Sequence, residues 1–379
     1  MYFDLLFWLS LAIAAYTFVG YPALVLWLAR RRGATPKQAP GTPRLTVVIA
    51  MRDEAARIGA RIRNLLECDY PADRLQLLLV DDGSRDGSAE IALAHAVIDP
   101  RVRVLRLGKA RGKAAALNAA MREVDSEVTV FADARQRFAR DALRALVAPF
   151  ADLEVGAVAG ELLLSGDGED GRRASHGLYW RLERELRHAE ARLGWAHAAS
   201  GAIYAIRTAL FRPIPPGLLL DDIYTPMQIV SQGARVWVSR AAQAFEPEHA
   251  DPGQEFRRKL RTLTGNWQLI AALPWLLRPR RNPLFFAWAS HKFARLLAPW
   301  ALLCALIAAA AAPPGLAHSL FWPQVALYLT ALAALTFPRG LRRLPLASTA
   351  ASFVSLNLAA LLSLPLYLGR GNLATLWKR

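Results

Sequence analysis

The sequence contains very little cysteine: Cys68 and Cys304 are the only two in a chain of 379 residues. Two cysteines provide neither a disulfide framework nor a cysteine metal site. The phosphate-binding pattern GxxxxGK[S/T] is also absent, which excludes a Walker-type nucleotide site. No basic motif interleaved with aromatic residues is present, so we expect no nucleic-acid partner despite a net charge of +16. Attraction to anionic lipid headgroups explains that charge more simply.

Charged residues are missing from three long apolar stretches, Leu5–Ala29, Leu296–Pro338 and Leu344–Gly369. Because about 20 apolar residues span a bilayer, the first and the last each predict one transmembrane helix. The middle stretch is too long for one helix, and the Pro-Pro-Gly sequence at 313–315 predicts a hairpin there. We therefore expect four membrane helices. Since no charge inside them marks a transport pathway, a transporter is disfavoured.

Arginines beside these stretches predict the orientation in the membrane. Three follow the first stretch at 30–32, and three more lie within 338–343. Basic residues favour the cytoplasmic side, so we expect a multi-pass protein of the cell (inner) membrane with its soluble domain in the cytoplasm. Four helices then place the C-terminus outside, which the basic residues of 370–379 fit poorly. Either the rule carries little weight there, or one C-terminal segment is re-entrant.

Strand and helix patterns alternate after a Pro- and Gly-rich linker at 33–43. Strands are predicted at 45–50, 75–80, 102–107 and 128–131, and helices at 54–67, 88–97 and 114–124. This order predicts an α/β fold with a parallel sheet, in which ligands bind at the carboxyl ends of the strands. Further on, the patterns predict strands at 155–164 and 200–206 and helices at 178–193 and 224–230.

Carboxylates follow two of the predicted strands. Asp81 and Asp82 follow one of them, and Asp133 follows another. A carboxylate in such a place either contacts a nucleotide or a divalent cation, or caps a turn or helix. Asp221 and Asp222, farther along, pose the same choice between a general base and a helix cap.

Basic residues accompany these acids. Lys113 opens a predicted helix directly after Gly112, where the helix N-terminus and the lysine both attract anions. The alternative for this segment is a basic surface loop. A second basic segment, 254–261, either holds a diphosphate or lies on the membrane surface.

As an ordered set, these segments resemble the family-2 glycosyltransferases, which have the GT-A nucleotide-sugar (Rossmann-like) fold. The resemblance covers about residues 45–300 and is greatest to the membrane-embedded branch that includes cellulose, chitin and hyaluronan synthases. It implies three regions: an N-terminal transmembrane helix at 1–32, a cytosolic glycosyltransferase domain at 44–283, and a membrane region at 284–379.

The resemblance also implies roles for particular residues. Glu54, Asp81 and Asp82 would face the uridine of a UDP-sugar, and Lys113 would lie near the nucleotide. Asp133 matches the first acid of the metal-binding Asp-x-Asp motif, and Asp222 matches the catalytic base. Further matched positions, assigned to the acceptor or the diphosphate, are Asp221, Gln254, Arg257, Arg258, Gly201 and Arg207.

Two positions depart from the family pattern. Arg135 replaces the second acid of Asp-x-Asp, so the divalent cation, Mg²⁺ or Mn²⁺, is a weaker expectation and Arg135 itself is a candidate diphosphate ligand. Arg258 replaces the tryptophan of the processive members' Gln-x-x-Arg-Trp motif, which argues against long-chain polymerisation.

We therefore expect an inverting glycosyltransferase that moves a sugar from a UDP-sugar to a lipid-linked or saccharide acceptor at the membrane. Partners in a polysaccharide export system are a further possibility. Two alternatives stay open: a processive polysaccharide synthase with a channel, and a non-catalytic nucleotide-binding regulator.

Overall fold

The computed structural model describes residues 2–165, 178–247, 252–337 and 344–369. Of these, 32–165 and 187–247 form one compact unit, which we call the sheet unit. Residues 2–31, 178–186, 252–337 and 344–369 form a second, which we call the helical unit. The predicted domain limits, which were drawn from composition and resemblance, stay predictions.

The sheet unit is built on eight strands. They are β1 Leu45–Met51, β2 Leu75–Asp81, β3 Val102–Arg106, β4 Val128–Ala132, β5 Arg137–Phe138, β6 Val155–Ser165, β7 Ile203–Arg207 and β8 Arg235–Pro247. Their order in the sheet is β3-β2-β1-β4-β7-β6-β8-β5.

The first four strands along the chain are mutually parallel, as the alternating pattern predicts. β1 is central to them, with Leu45 opposite both Leu75 of β2 and Val128 of β4. Nearly every residue of β1 and all of β4 are buried, which is typical of parallel strands covered on both faces. The predicted α/β fold is confirmed.

Beyond β4 the sheet becomes mixed. β7 runs antiparallel to β4, β6 antiparallel to β7, and β8 parallel to β6. The sequence pattern did not predict β8, because Ser239, Arg240 and Gln243 interrupt its apolar residues. Its register against β6 also shifts between Ala159 and Glu161, so neither strand keeps a strict alternation.

Helices cover the sheet and lie between its strands. Those of the sheet unit are Ala55–Leu66, Ser88–Ile98, Lys113–Ala120, Ala142–Val147 and Asp221–Ser231, with 3-10 turns at Ala72–Arg74, Ala148–Ala151 and Thr208–Leu210. We call Lys113–Ala120 the lysine helix and Asp221–Ser231 the acidic helix. A further helix spans Leu178–Arg192.

The helical unit contains four helices that are long and apolar enough to cross a membrane. They are Tyr2–Arg32, Phe285–Ala311, Leu316–Thr336 and Leu346–Leu368. The predicted number and the break at 313–315 are both confirmed for the described residues. The helix Pro252–Ala272 belongs to the same unit, where the Trp267 indole N–H donates to Ser363 Oγ over 3.0 Å. The basic segments 338–343 and 370–379, on which the predicted orientation depends, lie outside the described residues.

Candidate active site

The carboxyl ends of β2 and β4, the parallel strands on either side of β1, bring the predicted acids to one edge of the sheet. Asp81 is the last residue of β2, and Asp133 directly follows β4. Asp81 is buried, and its Oδ1 accepts the Ser84 backbone N–H at 3.0 Å. Asp133 keeps about a third of its side chain exposed, at 32%. Of the two, Asp133 is therefore the carboxylate more open to a ligand.

Asp82 fastens the loop that leads into the lysine helix. Its Oδ1 accepts the Arg111 backbone N–H at 2.6 Å, and its Oδ2 accepts that of Gly112 at 2.8 Å. The carboxylate is buried, so water competes little for these bonds. Asp82 thus determines where the helix carrying Lys113 begins, and the predicted contact with a nucleoside stays a prediction.

Gly83 allows this loop to lie close to the end of β2. Its φ of 73° is in the left-handed region, and a Cβ at this position would lie 2.8 Å from the Ala110 backbone nitrogen. Glycine is therefore required here both for its backbone conformation and for the space it leaves.

The turn after β1 is tied to the turn after β2. Asp53 has a φ of 53°, a conformation that Asp and Asn tolerate better than most residues. Its Oδ1 accepts the Arg85 backbone N–H at 2.8 Å. The buried Glu54 donates its backbone N–H to Ser88 Oγ at 2.7 Å, while its carboxylate pairs with Arg57 at 3.2 Å.

Lys113 is the charged centre of the site. Its Nζ lies 3.1 Å from Asp133 Oδ1 and 3.2 Å from Asp221 Oδ2. The lysine and Asp221 side chains are only 15% and 6% exposed, so solvent screens these ion pairs weakly. Burial alone would lower the pKa of the Lys113 ammonium, but Asp133, Asp221 and Asp222 outweigh burial and raise it. Lys113 is therefore charged throughout the physiological range.

Asp222 differs from its neighbour because, among the described residues, the Lys113 ammonium makes its ion pairs with Asp133 and Asp221. Its Oδ2 accepts the Gly201 backbone N–H at 3.2 Å. Burial and then the adjacent Asp221 carboxylate raise the pKa of Asp222 to about 6, against the opposing effect of Lys113. A carboxylate with such a pKa binds a proton more readily than ordinary Asp and is still largely ionised at pH 7.

The acidic helix begins at this pair, not after it. Asp221 and Asp222 form its first turn, whereas the pattern predicts a helix start at Tyr224. The N-cap residue is Leu220, and no side chain caps the helix there. The capping alternative therefore does not apply to either acid. The positive end of the helix dipole favours negative charge at both positions.

Asn118 joins the lysine helix to the segment that leads into the acidic helix. Its Nδ2 donates to the Ile214 carbonyl at 2.8 Å, and its Oδ1 accepts the Ile214 backbone N–H at 2.8 Å. One amide side chain thus makes a reciprocal pair of bonds with a single distant residue.

Arg61 is a part of the site that sequence reasoning missed. Its Nε donates to the Asp133 carbonyl at 3.2 Å, and its guanidinium lies 4.1 Å from the centre of the Phe138 ring. The Arg61 side chain is buried, which is unusual for arginine. Burial lowers the pKa of its guanidinium. A signal was present, because position 61 lies on the same helical face as Ile58, Ile62 and Leu65.

The remaining predicted residues are placed differently. Arg135 is exposed, two positions after Asp133. The Arg207 guanidinium donates to the carbonyls of Phe150, Asp152 and Val155, so it anchors backbone instead of lining an acceptor path as the resemblance implied. Gln254, Arg257 and Arg258 belong to the helix Pro252–Ala272 in the helical unit, where both arginines are exposed. A role for these three at the donor site stays a prediction.

The donor atoms of this cluster suit a hard divalent cation. Asp133, Asp221 and Asp222 supply carboxylate oxygens, the ligands that Mg²⁺ and Mn²⁺ prefer. With Asp222 ionised, these three acids against Lys113 and Arg61 leave an excess of one negative charge. A diphosphate would add to that excess, so the cluster needs further positive charge before it can bind one.

The chain is similar in sequence to known glycosyltransferases. The family model described as Glycosyl transferase family 2 matches residues 46–214. The chain is 31% identical over 148 residues to beta-monoglucosyldiacylglycerol synthase of Synechocystis sp., a match covering 36% of this chain and 31% of that protein. It is 27% identical over 197 residues to an N-acetylglucosaminyltransferase of Rhizobium meliloti, covering 51% and 45%. The chain thus matches less than half the length of either relative.

A solved structure resembles nearly the whole chain. It is a mannosyltransferase from Pyrobaculum calidifontis in complex with GDP-Man and Mn²⁺. The two chains are 26% identical, with a TM-score of 0.72, and the alignment covers 96% of this chain and 99% of the other.

Proposed function

The chain belongs to glycosyltransferase family 2, and on that premise we propose that it is an inverting enzyme that moves one sugar from a nucleotide sugar to a membrane-associated acceptor. One observation carries the proposal: Lys113, Asp133, Asp221 and Asp222 form a charged cluster at the carboxyl edge of the sheet. A second observation supports a membrane-associated acceptor: four long apolar helices belong to the same chain, and one relative is named for a glycolipid product.

Asp222 is the proposed general base. As the acceptor oxygen attacks the anomeric carbon, its proton passes to an Asp222 carboxylate oxygen. The bond from that carbon to the diphosphate breaks on the opposite face. The configuration at the anomeric carbon therefore inverts in one displacement, without a covalent enzyme intermediate. The raised pKa supports this role because it brings proton affinity closer to working pH while leaving the base ionised.

Lys113 is the proposed partner of the leaving diphosphate. Its position at the first turn of the lysine helix adds the helix dipole to its own charge. A divalent cation, held by Asp133 with the neighbouring carboxylates, would supply the remaining positive charge at the diphosphate. The exposed Arg135 is a further proposed contact for the same group.

The donor nucleotide has two candidates. We propose a UDP-sugar from the resemblance of the strand-end motifs. GDP-mannose is the second candidate, because the similar mannosyltransferase is a complex with GDP-Man. In either case we propose a cytoplasmic catalytic face on a multi-pass protein of the inner membrane.

A donor screen tests the proposal. The full chain, purified in detergent, would be incubated with UDP-glucose, UDP-N-acetylglucosamine and GDP-mannose, with a diacylglycerol or membrane-lipid extract as acceptor. We expect nucleotide release with one donor class, loss of release in EDTA, and a product carrying one added sugar. Polymeric product would favour the processive synthase, and absence of release with every donor would favour the non-catalytic regulator.

The acid limb of the pH profile is a separate prediction. Because the base form of Asp222 is lost as pH falls through about 6, kcat/KM should drop about tenfold for each pH unit below that value and level off above it. Initial rates between pH 4.5 and 8.5 would measure the midpoint. An unperturbed aspartate would give a midpoint near its ordinary pKa of about 4, which would contradict the assignment. If Asp222→Asn retains residual activity, its kcat/KM should not show this fall below about pH 6.

A further inference from the structure

One ammonium group holds two carboxylates of the proposed donor site together. Lys113 Nζ is within ion-pair distance of both Asp133 and Asp221, on different elements of the sheet unit. Its side chain is 15% exposed, which is low for a lysine. Lys113 therefore forms ion pairs with the same carboxylates, Asp133 and Asp221, that a nucleotide-bound cation would need as ligands.

We infer that Lys113 is an internal counter-ion that keeps Asp133 from binding a divalent cation until a nucleotide diphosphate arrives. This inference rests on the proposed function, since it assigns an order to the loading of the same site. It goes beyond a lysine that merely touches the diphosphate, because it gives the residue a second task in the donor-free protein.

Competition for one carboxylate is the physical basis. A divalent cation that binds Asp133 must either lie beside the like charge of Lys113 or displace it from Asp133. A diphosphate removes the conflict, because its oxygens give the ammonium a new partner and release the carboxylate. The lysine chain is flexible enough for this exchange, whereas the Asp133 backbone is held by Arg61.

Coupled binding follows from this exchange. If the diphosphate raises the affinity for the cation, the cation must raise the affinity for the diphosphate by the same factor. Removing the lysine charge should therefore have two opposite effects. It should strengthen cation binding in the donor-free protein, and it should weaken the coupling between cation and nucleotide.

Mn²⁺ binding to the purified full chain tests the inference without turnover. Titration of MnCl₂, followed by the loss of the free-ion EPR signal, would give the dissociation constant with and without UDP or GDP. We expect Lys113→Gln to bind Mn²⁺ about tenfold more tightly than wild type when no nucleotide is present. Lys113→Arg keeps the charge and should remain a weak binder, which also checks that the position tolerates substitution.

Lys109→Gln is the matched control. It removes the same charge from the loop that leads into the lysine helix, but Lys109 is exposed. An equal gain in Mn²⁺ affinity in Lys113→Gln and Lys109→Gln would mean that the effect depends only on the net charge of the protein, and it would overturn the inference. Unchanged affinity in Lys113→Gln would overturn it as well. If that variant does not fold, wild type still decides, because the inference requires nucleotide to tighten Mn²⁺ binding. None of these readings needs sugar transfer, whereas failure of the proposed function would appear as absent turnover.

Discussion

Replacing Asp222 with asparagine should reduce sugar transfer by about 10²–10⁴-fold, the usual contribution of a general base, while nucleotide affinity changes little. The amide cannot take the acceptor proton. Its oxygen can still accept the Gly201 N–H, so the local structure should persist. Nucleotide release and the dissociation constant for UDP or GDP would be measured on the same preparation.

Asp73→Asn is the control for this substitution. That carboxylate is 79% exposed on a turn before β2, so its loss should leave transfer unchanged. Wild-type turnover by Asp222→Asn would remove Asp222 from the role of base. Loss of nucleotide binding together with transfer would indicate instead that the carboxylate holds the donor.

Asp222→Asn should also be more stable than wild type at pH 8. The raised pKa of Asp222 means that folding becomes less favourable as pH rises through about 6, because a partly buried carboxylate must ionise. A neutral amide avoids that cost, which is about 1–2 kcal/mol after allowance for solvent screening. Melting temperature in detergent should rise by a few degrees at pH 8 and match wild type near pH 4.

Gly83→Ala should weaken nucleotide binding by about 100-fold, the scale of effect that displacement of a catalytic group by about 1 Å can have. The added Cβ would lie 2.8 Å from the Ala110 backbone nitrogen, and neither backbone can yield by rotating a side chain. The loop must then move, and the backbone N–H groups of Arg111 and Gly112, which donate hydrogen bonds to Asp82, move with it. Lys113 follows directly in the chain, so its ammonium loses its position.

Gly87→Ala separates the clash from backbone strain. Gly87 also has a left-handed φ, 89°, but a Cβ there would meet no atom within 4 Å. It should cost about 1–2 kcal/mol of stability and leave nucleotide affinity near wild type. Equal losses of affinity in the two alanine variants, measured by calorimetric titration of UDP or GDP, would contradict the role of the Gly83 contact.

Local pattern was sufficient to predict the half of the sheet unit nearest the N-terminus. Strands such as Leu45–Met51 are buried on both faces and read as continuous apolar runs, and their alternation with helices requires parallel pairing. The strand-end positions of Asp81 and Asp133 followed from that topology. The four helices that are long and apolar enough to cross a membrane were equally predictable, because length and lack of charge define them.

Long-range partners were what the sequence could not supply. That Lys113 pairs with Asp221 across more than a hundred residues depends on how β7 and the acidic helix return to β4. The loop-fastening bonds of Asp82 were hidden for a different reason: an acid at a strand end reads equally well as a ligand or as an anchor. Arg61 was passed over because arginine is rarely a core residue.

The Asn118 bonds have a consequence for exchanging parts between related proteins. This amide and Ile214 are almost a hundred residues apart, yet each satisfies the other's hydrogen-bonding groups. A chimera that imports one of these segments without the other would leave partly buried polar groups unpaired, at about 1–3 kcal/mol each. Donor specificity should therefore transplant only when the segments around 113–120 and 211–222 are moved together, and boundaries between them should yield poorly folding hybrids.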